Sequence, residues 1–309
     1  MGITHFAGLG KAPGAVTAAL SYLKNEVGDD PEYGKIVENV VIFTSPEIAN
    51  GSERAIESYD NAYMERGKCK GWTRGLINSF EIVKRFIFNE FEDVGLYLCE
   101  VNVNDFSKCF EAIAKALLKF HPPSRVGKHV WVNITGGTNI LNAALMQVAH
   151  LSGLIPIIYY TFVANRDDNK YLKPFSKNEN EFKFRKIHVI KTTFDERYLY
   201  ILEELESCEG KSITDYELLN KLKIKHFDLF EGINLTTLRR DFLNIIIGVG
   251  RRRTEEREDL NFFLNEYGKE ILSIMRSPLF KALVRTTDHP SIEIDKLTQD
   301  LKIKKIEKV

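Results

Sequence analysis

Between residues 3 and 189, short apolar runs alternate with longer amphipathic stretches, which restricts this part of the chain to a mostly parallel sheet with crossover helices. The predicted strands are Ile3 to Ala7, Val40 to Phe43, Gly95 to Val101, His129 to Ile134, Ile155 to Thr161 and Phe182 to Val189. Helices are expected between them at Ala15 to Lys24, Trp72 to Glu90, Phe106 to Phe120 and Asn139 to Ser152. The polar segment Ala164 to Lys170 reads as a hairpin-like link between the last two strands. Residues 1–192 are therefore expected to form a Rossmann-like, doubly wound α/β domain.

After Thr193 the rhythm changes to helices at Glu196 to Glu206, Tyr216 to Leu222 and Thr236 to Ile246, the last two entered through Thr214-Asp215 and Asn234-Leu235 as caps. The basic turn Gly248 to Arg253 follows, then a strand at Leu260 to Leu264 and a helix from about Glu266. Residues 193–309 are expected to be a winged helix-turn-helix domain with a C-terminal helical tail.

At 309 residues and 44% hydrophobic content, the chain is long enough to bury the cores of two domains. It has no run of about 18 apolar residues, and Met1 to Phe6 has no basic segment leading into an apolar one, so a membrane span and a secretory signal are both disfavoured. A cytoplasmic location is expected. Cys69, Cys99, Cys109 and Cys208 are scattered without a C-x-x-C pair, which suggests neither a zinc site nor a disulfide framework. Basic and acidic side chains both number 43, so attraction to nucleic acid must come from a local patch.

The segment Val132-Asn133-Ile134-Thr135-Gly136-Gly137-Thr138-Asn139 runs from a strand through two glycines into a helix. Adjacent glycines there let backbone N–H groups and a helix N-terminus approach an anion closely. Thr135, Gly136, Gly137, Thr138 and Asn139 are candidate phosphate or nucleotide contacts. A second turn of small residues follows the first strand, with Gly8, Gly10, Lys11, Ala12, Pro13 and Gly14 as candidates and Lys11 as the local cation. Both turns are expected at the carboxyl edge of one sheet, where α/β folds accept ligands. Thr44 and Ser45 add hydroxyls after the second strand.

The alternative reading is tight strand-to-helix packing for the glycines and ordinary N-capping for Thr44-Ser45. The turns form neither a Walker loop nor a G-x-G-x-x-G fingerprint with an acidic partner about 20 residues on, which disfavours ATP hydrolysis and NAD binding. His150 and His188 lack a second ligand at metal spacing, so no metal or cofactor is expected. Trp72, in the loop Gly67 to Gly75, is either a packing residue or a stacking surface for a base.

Gly10-Lys11-Ala12-Pro13-Gly14-Ala15-Val16-Thr17, Glu100 to Phe106 and Asn133 to Asn139 together resemble the CARF (CRISPR-associated Rossmann fold) sensors of type III CRISPR systems, over roughly residues 1–190. The resemblance implies a cyclic tetra- or hexa-adenylate as ligand, a role in antiviral defence, and a homodimer whose two-fold axis matches the symmetry of the ring. Two positions depart from the family pattern: Asn139 stands where Lys or Arg is usual, and Ala12 where a hydroxyl is frequent. In members that cleave the ring, such groups position a ribose 2′-hydroxyl against the adjacent phosphate. Lys11 is the residue that would supply this charge here, so metal-independent ring cleavage stands as the alternative to binding alone. Relatives with a HEPN ribonuclease carry Arg and His with four to six residues between them; Arg125/His129 and Arg285/His289 have only three between, so no such site is read.

In the C-terminal part, Leu238, Phe242 and Ile245 recur at helical spacing and leave Thr236, Thr237, Arg239 and Arg240 outward, a face suited to reading double-stranded DNA. Arg251, Arg252 and Arg253 would form the wing. Residues 236–253 hold five Arg against Asp241 alone, yet residues 193–309 hold 20 basic and 22 acidic side chains. Dimerisation or signal coupling is the competing role for this domain, with the arginines paired to Glu255, Glu256, Glu258 and Asp259.

Overall fold

The computed structural model describes residues 2–26, 37–53, 78–121, 130–163, 182–189, 191–192, 194–208, 211–246, 248–254, 257–284 and 291–308. Trp72 and its glycine-rich loop, Cys69, the Ala164 to Lys170 link, and the Arg125/His129 and Arg285/His289 pairs lie outside them. Met1–Thr192 together with Arg285–Val309 form one compact unit, and Thr193–Val284 form a second.

The first unit is built on a seven-stranded sheet in the order β10-β3-β2-β1-β4-β5-β6, with strands β1 (Ile3–Gly8), β2 (Val37–Thr44), β3 (Gly95–Glu100), β4 (Val130–Asn133), β5 (Ile157–Val163), β6 (Phe182–His188) and β10 (Ile303–Ile306). β1 to β5 run parallel, while β6 and β10 close the two edges antiparallel. This mostly parallel order, reversing direction at β1 and β4, is Rossmann-like. Between the strands run α1 (Gly14–Glu26), α2 (Pro46–Asn50), α3 (Ser79–Glu90), α4 (Phe106–Phe120) and α5 (Asn139–Ser152).

Alternation along the strands supplies both helix layers. Ile3 and Ala7 of β1 pack with Val40 and Ile42 of β2, against Val16, Leu20 and Leu23 of α1 and Val83, Phe86 and Ile87 of α3. The opposite face carries Phe6, whose ring lies 5.4 Å from Phe43 and 6.3 Å from Phe120 at the end of α4. Side-chain caps start two of the helices: Asp105 accepts from Lys108 N at 3.1 Å and Asn78 from Glu81 N at 2.6 Å. Within the first core His5 is fully buried, with Nε2 hydrogen-bonded to the Tyr159 hydroxyl.

The C-terminal stretch, expected with the second domain, belongs to the first unit. α12 (Ser291–Thr298) precedes β10, which pairs antiparallel with β3 through Ile303 opposite Cys99 and Ile306 opposite Leu96. Lys115 of α4 fixes the junction, its ammonium 2.7 and 2.8 Å from the Asp300 carboxylate oxygens and 2.7 Å from Glu111. Hydrogen bonds from Lys115 hold the Asp300 carboxyl below its usual range.

The second unit runs α6 (Arg197–Glu206), β7 (Ile213–Thr214), α7 (Asp215–Lys225), α8 (Phe227–Phe230), α9 (Leu235–Leu238), β8 (Val249–Thr254), β9 (Arg257–Leu264), α10 (Glu266–Arg276) and α11 (Pro278–Val284). β7, β9 and β8 form a three-stranded antiparallel sheet. A capping box between Thr214 and Glu217 opens α7. Ile201, Leu205, Leu218, Leu222, Phe242 and Phe262 fill the core of this unit.

The expected helix from Thr236 to Ile246 is instead α9 continued by a π turn over Arg239–Leu243, in which Asn244 N donates to Arg239 O. This extra residue per turn rotates the apolar stripe. Leu243 is buried, and Ile245, expected in the core, is 60% exposed.

Candidate functional site

Thr44-Ser45, the Gly8 to Gly14 turn and the Thr135 to Asn139 turn follow β2, β1 and β4, three neighbouring parallel strands. They therefore meet at the carboxyl edge of the sheet, where the strand order reverses. Loop β1–α1 is tied to β2: Leu9 N donates to Phe43 O at 2.9 Å, and the Thr44 hydroxyl donates to Leu9 O at 2.7 Å. Asn133, fully buried at the end of β4, ties the second turn to the first helix. Its side-chain amide donates to Ala15 O and its oxygen accepts from Thr135 N, both at 2.8 Å.

The glycines divide into two roles. A Cβ on Gly136 would stand 2.5 Å from Gly8 O, and one on Gly8 2.9 Å from Leu141, so these two let the turns pack directly on each other. Gly137 adopts φ +82°, which favours glycine. A Cβ on Gly10 would meet nothing closer than Gly137 N at 3.9 Å, so Gly10 stands clear of its neighbours.

Several hydroxyls read as ligand groups are engaged within the fold. The Thr135 hydroxyl accepts from Thr161 N at 2.8 Å. That of Thr138 caps α5 through Leu141 N and donates to Val103 O at 2.9 Å. Ser45 caps α2, accepting from Ile48 N at 3.4 Å, and Thr44 is buried. Pro13 is buried and its carbonyl accepts from Val16 and Thr17 N, which starts α1 at the buried Gly14. Lys11, Ala12 and Asn139 reach the surface.

Beside these turns lies a cleft of about 850 Å³. Ser45, the cap of α2, and Pro46 and Glu47 in its first turn line it, as do Ser52 and Glu53 just beyond α2 and Val101 to Asn104 in the loop after β3. Thr138 completes the lining and joins the cleft to the Gly136-Gly137 turn. Lys11 extends to Glu53, with Nζ 2.6 Å from its carboxylate. Hydrogen bonds from its own backbone N–H and then from the Ser45 hydroxyl hold the Glu47 carboxyl below the usual carboxylate range. Sequence reading did not single out Glu53, Asn102 or Asn104, and took the Glu47 loop only for its hydroxyls. The available signal was position alone: each follows a predicted parallel strand or the short helix after it.

Two buried thiols lie in unreactive settings. Burial pushes the Cys99 thiol up to about 12 and that of Cys109 to about 11, which keeps both protonated at neutral pH. Among the described residues no group of His, Cys, Asp and Glu side chains is placed to hold a metal ion, and no helix is long and apolar enough to cross a membrane.

In the second unit, Thr236 and Arg240 are exposed and Thr237 is half-buried, in a segment capped by Asn234. Arg239 forms an ion pair with the buried Asp215 at the start of α7 and so acts as a tether. Arg240 pairs with Asp241 at 2.5 Å. On β8, Arg251 donates to Asn244 at 3.1 Å and Arg252 lies over the Phe263 ring at 4.8 Å, while Arg253 follows in the same strand.

No family model matches the chain. An uncharacterized protein of Archaeoglobus fulgidus is 27% identical over 209 residues, which cover 58% of this chain and 63% of that protein. Among solved structures, Enterococcus italicus Csm6 bound to cyclic hexa-2′-fluoro-hexa-dAMP aligns with a TM-score of 0.38 and 14% identity, over 78% of this chain and 55% of that one. The chain thus spans less than two thirds of the length of each.

Proposed function

We propose that the chain is a CARF-type sensor of a cyclic oligoadenylate in type III CRISPR signalling, and that its second unit is a winged helix that binds DNA in response. One observation carries the sensing half: the turns after β1 and β4 pack on each other at the reversal of strand order, with Gly10, Lys11 and the start of α5 around them. Backbone N–H groups, a helix N-terminus and a cation at one place favour a phosphate. A ring with rotational symmetry is met by two copies of this edge, so the acting species is a homodimer.

For the output half, the element order of the second unit supports a helix-turn-helix with a β wing, formed by β8 and β9. Thr236, Thr237, Arg240, Arg251, Arg252 and Arg253 are the proposed DNA contacts, with Arg239 holding the helix in place.

The test mixes the purified protein with cyclic tetra- and hexa-adenylate in EDTA, chromatographs the nucleotides and measures DNA retention. The sensor reading expects an intact bound ring and a DNA shift that salt weakens and an Arg240/Arg251/Arg252 triple Ala variant abolishes. Conversion to linear adenylates, lost in Lys11→Ala, would replace it with ring cleavage. Failure to bind either ring would overturn it.

A further inference from the structure

The cleft beside the glycine turns is poorly suited to phosphate, because Glu47 and Glu53 both line it. An ionised carboxylate only accepts hydrogen bonds, and it repels an anion. The phosphate of a bound nucleotide therefore belongs at the turns, and the cleft selects a part of the nucleotide that donates. Its size falls within the range of small-molecule sites. Pro46 and Val101 add apolar surface for a base.

Of the two carboxylates, Glu53 already holds Lys11. Glu47 is exposed and stands three residues beyond the last residue of β2, the strand next to β1. In dinucleotide-binding sheets an acidic residue about 20 residues beyond the Gly-rich turn takes a ribose hydroxyl while the phosphates sit at that turn; Glu47, farther along the chain, does not share that spacing, and the likeness is one of chemistry, an acidic side chain beside a phosphate-holding turn. The Glu47 carboxylate receives its own N–H and the Ser45 hydroxyl, and its two oxygens have about four acceptor sites, so capacity remains.

We propose that this cleft is a ribose-reading subsite in which Glu47 accepts a hydrogen bond from the 2′-hydroxyl of the bound nucleotide. The site thereby selects ribonucleotides over deoxyribonucleotides. This rests on the reading that the turns hold a nucleotide phosphate.

Calorimetric titration of the full chain with cyclic tetra-adenylate and with its all-2′-deoxy counterpart tests the assignment. The wild type is expected to favour the ribo ring by roughly 10-fold or more, as a hydrogen bond to a charged acceptor gives. Glu47→Leu should abolish the preference, bringing the ratio of ribo to deoxy affinity to about one, with an unchanged far-ultraviolet circular dichroism spectrum showing that the variant is folded. Glu47→Gln, keeping an acceptor oxygen, should retain part of the preference. Equal binding of both rings by the wild type, or a preference that survives in Glu47→Leu, would overturn the subsite. If neither ring binds, the cyclic-ligand reading fails, and ATP against dATP decides the cleft by itself. A Glu47-dependent preference for ATP sustains it, and no preference overturns it.

Discussion

A proton adds to His5 in mild acid only when the chain unfolds, because full burial depresses the imidazole from its ordinary 6.5 to about 3. Between those values the unfolded chain binds a proton that the native chain does not, so stability is complete above pH 6.5 and declines as pH falls towards 3. The decline attributable to this residue is at most about 1.4 kcal/mol per pH unit. His5→Phe should remove that part of the acid slope in denaturant titrations between pH 4 and 6, at the cost of the Tyr159 hydrogen bond at neutral pH. Equal slopes in variant and wild type would refute the assignment. Residue-scale roles were the hardest to read in advance. Gly136 and Gly137 look alike in sequence, yet the first is fixed by the approach of Gly8 O and the second by a positive φ. Arg239 and Arg240 are adjacent, yet only Arg239 faces a buried carboxylate, because the chain passes Asp215 on that side.

Among the elements, the last strand has a tether outside its ladder. Lys115 joins α4 to Asp300 just before β10. Lys115→Met should loosen that return segment, raising amide exchange by about 10-fold at Lys304 to Ile306 and at the facing Leu96 to Leu98, with α1 exchange unchanged. Uniform exchange across the unit would argue against a local clasp. The parallel strands and α4 and α5 were legible from apolar periodicity, whereas Thr138, read as a ligand contact, also serves as the cap of α5. β10 was not: Ile303-Lys304-Lys305-Ile306 reads as a charged tail until an unpaired edge of β3 is known to be beside it. The π turn likewise leaves no compositional mark, since inserting one residue changes the phase of a helix and not its residue types. The cleft escaped notice because Glu and Asn in loops after strands are ordinary, and only the sheet order brings the loops after β2 and β3 side by side.

For the molecule as a whole, two separate hydrophobic clusters imply two cooperative units. Urea unfolding followed by tryptophan fluorescence and by far-ultraviolet circular dichroism should resolve two transitions. Trp131, buried in the first core, reports only one of them. A cyclic adenylate that binds the turns should shift that transition alone. One coincident transition for both probes would contradict this independence. The chain leaves its sheet after β6 and comes back to it at α12 and β10, so the intervening 193–284 is a guest held by its host at both ends. In chain order that cassette falls between β6 and β10, so excising it would remove none of the seven strands of the host sheet.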